Sequence, residues 1–259
     1  MKVTVLGSGT STGVPQVGCT CQVCRSADKR DNRLRCSALV ETEGVRILID
    51  CGPDFREQCL RFMPVFAPID AVLITHEHYD HVGGLDDLRP FCIFGDVPVY
   101  AEGYTAGRLQ MRMPYCFSDH PYPGVPSIPI TPVEPFKPFT VSNLAGRCVE
   151  VMPIRVEHGS LPILGYRIGR MAWITDMLSM PEESYDKLKG VEVLFINALR
   201  IEPHHSHQSL AEALRQAEHI GAAQTWLIHM SHQIGLHADV QHMLPSGVRL
   251  AYDGLQVQC

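Results

Sequence analysis

The sequence lacks both a membrane-spanning segment and an excess of positive charge. None of its apolar runs approaches the roughly 18 to 20 residues that cross a bilayer. Its start has one lysine and a very short apolar stretch, which is typical of a first β-strand and not of a signal peptide. Acidic residues outnumber basic ones by 28 to 22. We therefore expect a cytoplasmic protein with no membrane association, and a nucleic-acid partner is disfavoured because such proteins usually carry a basic excess.

The chain also shows no internal repeat, so we expect one domain over residues 1–259. Short apolar runs rich in Val and Ile alternate with helical segments, a pattern that predicts a layered α/β fold. Several runs end at a polar or ionisable residue, Asp50 among them. The predicted strands are 3–6, 45–49, 71–74, 149–156, 171–175, 191–196 and 225–228, and the predicted helices are 54–62, 181–188 and 209–219.

Proline is dense in one stretch. Residues 114–138 contain eight prolines, which forbid a regular helix and disfavour a central strand. We expect a Pro-rich insertion at about 103–145 that forms an ordered surface segment. A lid, a dimer arm and a plain surface loop all fit its composition, and a homodimer is a reasonable expectation on general grounds.

Four side chains that bind metals lie within six residues, directly after an apolar run: His76, His78, Asp80 and His81. Imidazole and carboxylate are the ligands that zinc and its neighbours prefer. A single histidine there would be read as a solvated loop residue, but His-x-His-x-Asp-His after a strand favours a metal site. Gly83-Gly84 then permits a tight backbone beside it.

Three more ligands, His158, Asp176 and His229, follow other apolar runs. In layered α/β proteins, sites gather at strand ends, so we expect these side chains to converge on the histidine motif. Seven groups suit two metals if Asp176 is shared. The ligands fit either Zn²⁺ or Mn²⁺.

On these residues the chain resembles the metallo-β-lactamase-fold hydrolase superfamily, which uses His-x-His-x-Asp-His. The resemblance runs from Lys2 to about Leu255 and is poorest in the Pro-rich stretch. It implies a four-layer αββα sandwich with two metals at one edge. Metals about 3.5 to 4 Å apart would hold a bridging hydroxide, which Asp80 helps to orient. The implied ligands are His76, His78 and His158 for one metal, and Asp80, His81 and His229 for the other, with Asp176 shared.

Three cysteines, Cys19, Cys21 and Cys24, form a Cys-x-Cys-x-x-Cys cluster. Such a turn can hold one zinc, and His232 is a good fourth ligand for a tetrahedral structural site. Three reduced thiols are the plain alternative, and an iron–sulfur cluster is a weaker one. Most of the other cysteines are expected to be buried thiols.

The cysteine cluster with His232 narrows the resemblance to the cyclic phosphodiesterase branch, which includes the phosphoribosyl 1,2-cyclic phosphate phosphodiesterases. In that branch the matching residues bind a structural zinc. By the same resemblance, His207 is the general acid that protonates the leaving oxygen. His204 and His205 either are solvated or help to bind phosphate.

The remaining candidates are weaker. The loop 7–13 is interpreted as a tight turn beside the metals, although its glycines and hydroxyls could also cradle phosphate, with Ser11 and Thr12 as contacts. The other histidines, including His120, are expected to be structural or exposed.

Three classes of function are consistent with these features. The favoured one is a metal-dependent phosphodiesterase that cleaves a small cyclic or nucleotide-like phosphodiester. The second is a tRNA 3′-processing endonuclease, against which the net charge of -6 counts. The third is a metal-binding or redox module of the pyrroloquinoline-quinone type.

Overall fold

The computed structural model describes residues 1–117 and 122–259. Within them, fourteen strands form two seven-stranded sheets, and six α-helices cover the sheets. The strands are β1 Lys2–Gly7, β2 Ser37–Thr42, β3 Val45–Ile49, β4 Ala71–Leu73, β5 Val99–Glu102, β6 Ile130–Val133, β7 Phe139–Ser142, β8 Cys148–His158, β9 Leu161–Ile168, β10 Met171–Ile174, β11 Val193–Asn197, β12 Gln224–Ile228, β13 Val248–Leu250 and β14 Gln256–Gln258. The helices are α1 Phe55–Phe62, α2 Tyr79–Val82, α3 Gly103–Arg112, α4 Glu182–Leu188, α5 Leu210–Ile220 and α6 His237–Met243.

Each sheet combines an antiparallel part with a parallel part. The first sheet has the order β14-β1-β2-β3-β4-β5-β6 and is parallel from β3 to β6. The second has the order β13-β12-β11-β10-β9-β8-β7 and is parallel from β10 to β13. Within each parallel part, the carboxyl ends of the strands therefore share one edge of the sheet.

The alternation of side chains along the strands builds three apolar layers. In β3, Ile47 and Ile49 pack between the two sheets, while Leu48 packs outward against α1 and α3. In β11, Phe195 points between the sheets and Ile196 packs outward against α4, α5 and α6. Both faces of these strands are buried, which explains why they are mostly apolar, with Arg46 near the start of β3 as a half-buried exception. The result is the predicted four-layer αββα sandwich.

The Pro-rich region contributes to the edge of this sandwich. Residues 103–145 contain α3, β6 and β7, and each of these two strands lies at one edge of its sheet. Pro132 lies in β6, where an edge position tolerates the missing N–H. His120 lies outside the described residues. Among the helices that the structure describes, none has the length and hydropathy of a membrane span.

Candidate metal centre

The candidate centre lies where strands of both sheets end. The parallel strands β3 and β4 lead to Asp50 and His76, and β10 and β12 lead to Asp176 and His229. The long strand β8 ends at His158. Residues from distant parts of the chain thus meet at one edge of the sandwich, as the strand ends predicted.

Three of the strand-end residues have a left-handed backbone. The φ angles of Asp50, Asp176 and His229 are 57°, 56° and 55°. This conformation costs about 1 kcal/mol or more per non-glycine residue and persists only where the surrounding structure enforces it. Each of the three turns sharply out of its strand, which directs its side chain into the centre.

The histidine motif is brought close to β3 by two glycines. A Cβ atom on Gly52 would overlap the carbonyl oxygen of Asp80, and one on Gly84 would overlap the carbonyl oxygen of Gly52. The N–H of Gly84 donates to the carbonyl of Cys51 at 2.9 Å. The expected tight backbone at Gly83-Gly84 is therefore present, and it holds α2 against the end of β3.

The first candidate metal group consists of His76, His78 and His158, whose ligand atoms lie within 4.8 Å of one another. The Thr75 hydroxyl donates to Asp50, so it accepts the Nδ1–H of His76 at 3.0 Å. The Nδ1–H of His158 donates to a backbone carbonyl at 2.9 Å. In both rings the lone pair is thereby on Nε2, and Nε2 of His76 lies 3.0 Å from Nδ1 of His78, so the rings of this group converge on one point.

The second candidate group consists of Asp80, His81, Asp176 and His229, all buried. Nε2 of His81 lies 3.2 Å from an oxygen of Asp80 and 3.2 Å from Oδ2 of Asp176. Nε2 of His229 lies 3.1 Å from the other oxygen of Asp176. The two carboxylate oxygens of Asp176 therefore face two different imidazoles, which suits a shared ligand.

This second group fits a cation. Within the described part of the chain, Nε2 of His81 and both ring nitrogens of His229 are buried without a hydrogen-bond partner. A nitrogen lone pair that faces carboxylate oxygens is repelled unless positive charge lies between them. Burial would lower the pKa of His81, but the carboxylates of Asp80, Asp176 and Asp50 raise it well above its ordinary value. The field at this point attracts positive charge, and the donor set is one that divalent metals prefer.

Asp50 is a site residue that sequence reasoning left without a role. Its side chain is fully buried and accepts the Nδ1–H of His81 at 2.7 Å. It also accepts hydrogen bonds from the N–H and the hydroxyl of Thr75. Because a carboxylate only accepts, Asp50 fixes the ring of His81 with Nε2 toward the centre.

His207 lies beside both candidate groups. Its ring stacks on His229 with centroids 5.1 Å apart and lies 4.4 Å from the ring of His158. Its Nδ1 atom is 3.7 Å from Asp176. Burial lowers the pKa of His207 to about 3, so the ring is neutral at pH 7. Ser209, two residues after His207, caps α5 through a capping box with Glu212. This cap fixes the end of the loop that carries His207.

The cysteine cluster meets His232 as expected from the spacing. Sγ of Cys19 and Sγ of Cys21 lie 3.5 Å and 3.2 Å from Nδ1 of His232, and Cys24 completes the group. The N–H of Cys24 and the ring of His232 lower the pKa of the Cys21 thiol to about 6. Burial raises the pKa of the Cys24 thiol to about 11, so the three thiols are not equally disposed to ionise in the free protein. Three sulfurs and one imidazole are nevertheless the donor set of a tetrahedral zinc site.

The glycine-rich loop connects the two candidate sites. Its backbone pairs with the residue after His229, because the Met230 N–H donates to Ser8 O at 3.0 Å and the Thr10 N–H donates to Met230 O at 3.1 Å. This pairing supports a tight structural turn. Ser11 and Thr12 are exposed.

Comparison with known proteins places this centre in a family. A family model described as a beta-lactamase superfamily domain matches residues 45–230. A solved structure of a diphosphatase from the PhnP family has 39% identity and a TM-score of 0.88, covering 99% of this chain and 96% of that chain. Zinc-bound PqqB from Methylobacterium extorquens has a TM-score of 0.80 over the full length of both chains, but at 20% identity it shows only a shared fold.

A curated relative is longer than this chain. The octanoyltransferase of Porphyromonas gingivalis is 48% identical over 261 residues, which is 99% of this chain but 51% of that protein. The chain thus spans about half the length of this relative. The family model, by contrast, matches well over half of the chain, and the diphosphatase aligns along nearly all of it. The chain therefore belongs to the metallo-β-lactamase-fold superfamily of hydrolases, in its PhnP-like branch.

Proposed function

We propose that the protein is a phosphodiesterase that hydrolyses a small phosphodiester with two divalent metals. The observation that carries this proposal is the position of Asp176, whose two oxygens face His81 and His229 while His207 stacks beside them. In this arrangement His76, His78 and His158 hold one metal, and Asp80, His81 and His229 hold the other, with Asp176 shared.

Metals bound at these groups would lower the pKa of water and neutralise charge on the phosphate. The chain's own residues supply the rest. Asp80 is a hydrogen-bond acceptor beside the shared carboxylate and orients the attacking water. His207 delivers a proton to the leaving oxygen. Because burial keeps His207 neutral in the free protein, the negative charge of the bound phosphate is what favours its protonated form.

A separate metal at the cysteine cluster completes the proposal. Cys19, Cys21, Cys24 and His232 hold a structural zinc that fastens the N-terminal loop to the turn after β12. The native catalytic metal is Zn²⁺ or Mn²⁺, and metal analysis should find close to three metals per chain.

Acyl chemistry is the competing activity, because a longer relative is an octanoyltransferase. The donor set described above consists of imidazoles and carboxylates that fit divalent metals, which supports activation of water more directly than acyl transfer to a protein nucleophile. The shared branch with a diphosphatase also supports phosphate substrates.

The test uses two phosphodiesters that differ in leaving group. Wild-type protein loaded with Mn²⁺ or Zn²⁺ should cleave bis(p-nitrophenyl) phosphate and a cyclic nucleoside phosphate. His207→Ala should lose about 100-fold or more on the cyclic substrate, whose leaving alkoxide needs a proton, and much less on the activated one. Its metal content should be unchanged.

The matched control is His242→Ala, which removes an exposed histidine from α6. It should retain both activities. Cleavage of p-nitrophenyl octanoate, with neither phosphodiester touched under any metal, would overturn the proposal in favour of acyl chemistry. Equal losses of His207→Ala on both phosphodiesters would remove the proton-donor role.

A further inference from the structure

The loop of residues 199–210, here called the histidine loop, is closed at its base. It leads from β11 into α5. The N–H of Leu199 donates to Gln208 O at 2.9 Å, and the N–H of Leu210 donates to Arg200 O at 2.8 Å. The two ends are thus joined to each other, and the residues between them project as one compact unit.

Arg200 fixes the first half of the histidine loop through its guanidinium group. Its guanidinium donates to the backbone oxygens of Glu202 and Pro203 at 3.2 Å and 2.7 Å. It also donates to the side chain of Gln233 at 3.1 Å. Gln233 follows His232, so the loop is fastened to the turn that carries the proposed structural zinc. Such a clamp reduces the entropy that a ligand would otherwise have to remove on binding.

His204 and His205 are presented by this clamped loop. The N–H of Ser206 donates to Nδ1 of His204 at 3.3 Å, so this nitrogen is an acceptor and the proton lies on Nε2. Ser206 is itself fixed, because its carbonyl accepts the Nδ1–H of His158 at 2.9 Å. His204 is half-buried and His205 is exposed.

The imidazoles form a continuous row from solvent to the centre. The centroids of His205 and His204 are 4.2 Å apart, and those of His204 and His207 are 5.2 Å apart. His207 in turn contacts His158 and His229. His204 is therefore the next ring beyond the residue that faces the leaving oxygen.

From this row we infer that His204 and His205 form a subsite for a second phosphate, the leaving half of a substrate with two adjacent phosphates. The inference rests on the proposed function and names its substrate class as a phosphoanhydride diester. A leaving group whose first oxygen takes its proton from His207 must extend toward His204. Imidazole N–H groups on a rigid loop are suitable hydrogen-bond donors for a phosphate there.

The reaction balances as a hydrolysis. The oxygen of water forms a bond to the phosphorus next to the metals, and the bond between that phosphorus and the bridging oxygen breaks. The bridging oxygen keeps the electron pair and receives a proton from His207. The second phosphate then leaves from His204 and His205. The proton released by the attacking water replaces the proton that His207 gave to the bridging oxygen.

The experiment compares one substrate that has the second phosphate with one that lacks it. The metal-loaded double variant His204→Ala/His205→Ala is assayed on diadenosine diphosphate and on bis(p-nitrophenyl) phosphate. We expect kcat/KM for diadenosine diphosphate to fall about tenfold or more, as loss of hydrogen bonds to a charged group does. The value for bis(p-nitrophenyl) phosphate should stay within about twofold, because that substrate leaves the subsite empty. The variant His242→Ala should match wild type on both.

A second variant distinguishes the loss of the two imidazole donors from a general disruption of the loop. His204→Gln/His205→Gln keeps donors of similar reach and should recover part of the loss on diadenosine diphosphate. An unchanged kcat/KM on this substrate in the alanine variant would overturn the subsite, as would an equal loss on both substrates. Wild-type protein that cleaves only the monophosphate diester would also overturn it while leaving the phosphodiesterase proposal intact. Wild-type protein that cleaves neither substrate would overturn both.

Discussion

Replacing Asp50 by asparagine tests how the centre chooses the nitrogen of His81 that faces a metal. The Asp50 carboxylate accepts from the Thr75 N–H at 2.9 Å and from the Nδ1–H of His81 at 2.7 Å. It can only accept, so it keeps the proton of His81 on Nδ1 and frees Nε2. Asparagine has the same shape but only one accepting oxygen, because its other terminal atom is an amide nitrogen that donates. It cannot offer one acceptor atom to Thr75 and a second acceptor atom to His81.

The size of the effect follows from these contacts. We expect the asparagine oxygen to keep the bonds from Thr75, whose N–H and hydroxyl both need an acceptor. The amide then donates to Nδ1 of His81 and moves the ring proton to Nε2, where it blocks the metal. Loss of an outer partner of this kind costs about 10- to 100-fold in metal affinity. In free energy this is about 1.4 to 2.8 kcal/mol.

The assay is a competition titration with a coloured chelator, together with metal analysis of the purified variant. Asp50→Asn should weaken the metal at the His81 group, while the metal of the His76 group and the metal of the cysteine cluster stay in place. The matched control is Asp70→Asn, which alters a part-buried carboxylate at the other end of β4 that accepts the Arg46 N–H at 2.7 Å. Unchanged metal affinity in Asp50→Asn, or an equal loss in the control, would refute the reasoning.

Two other perturbations probe the rest of the molecule. Cys21→Ser should lose one metal and lower the melting temperature while the catalytic pair stays, since a structural metal contributes binding energy to folding; retention of all metals would contradict this. Burial and the neighbouring Arg33 lower the pKa of His237 to about 4. As the pH falls, His237 therefore takes up its proton at a higher pH in the unfolded chain than in the folded protein. The free energy of unfolding consequently falls by up to about 3 kcal/mol as the pH drops from about 6.5 to about 4. In denaturant titrations, His237→Gln should remove this part of the pH dependence, and parallel curves for wild type and variant would exclude His237 as its source.

The strands buried on both faces were predictable because they carry uninterrupted apolar runs. The helix α3 shows where this approach fails. It contains Gly103 and Gly107, which disfavour a helix, and it has neither a capping side chain nor an acidic first turn. It is helical because Ala106 and Leu109 pack into the layer outside the first sheet. That packing depends on the position of β5, which a local sequence window does not contain.

The candidate site, too, was predictable from the sequence only in part. The imidazoles and carboxylates of the proposed centre were identifiable because they follow apolar runs, and the three cysteines because of their Cys-x-Cys-x-x-Cys spacing. The fold brings every one of those residues into a group. Asp50 follows β3 in the same pattern, so a signal for it was present. What the sequence could not assign was its role, because a buried carboxylate either binds a metal or orients a residue that does. The difference is decided by the parallel pairing of β3 with β4, which places Asp50 behind His81 and not beside it. The histidine loop makes a related point, since its spacing shows three histidines but only its clamped backbone sets them in a row toward the centre.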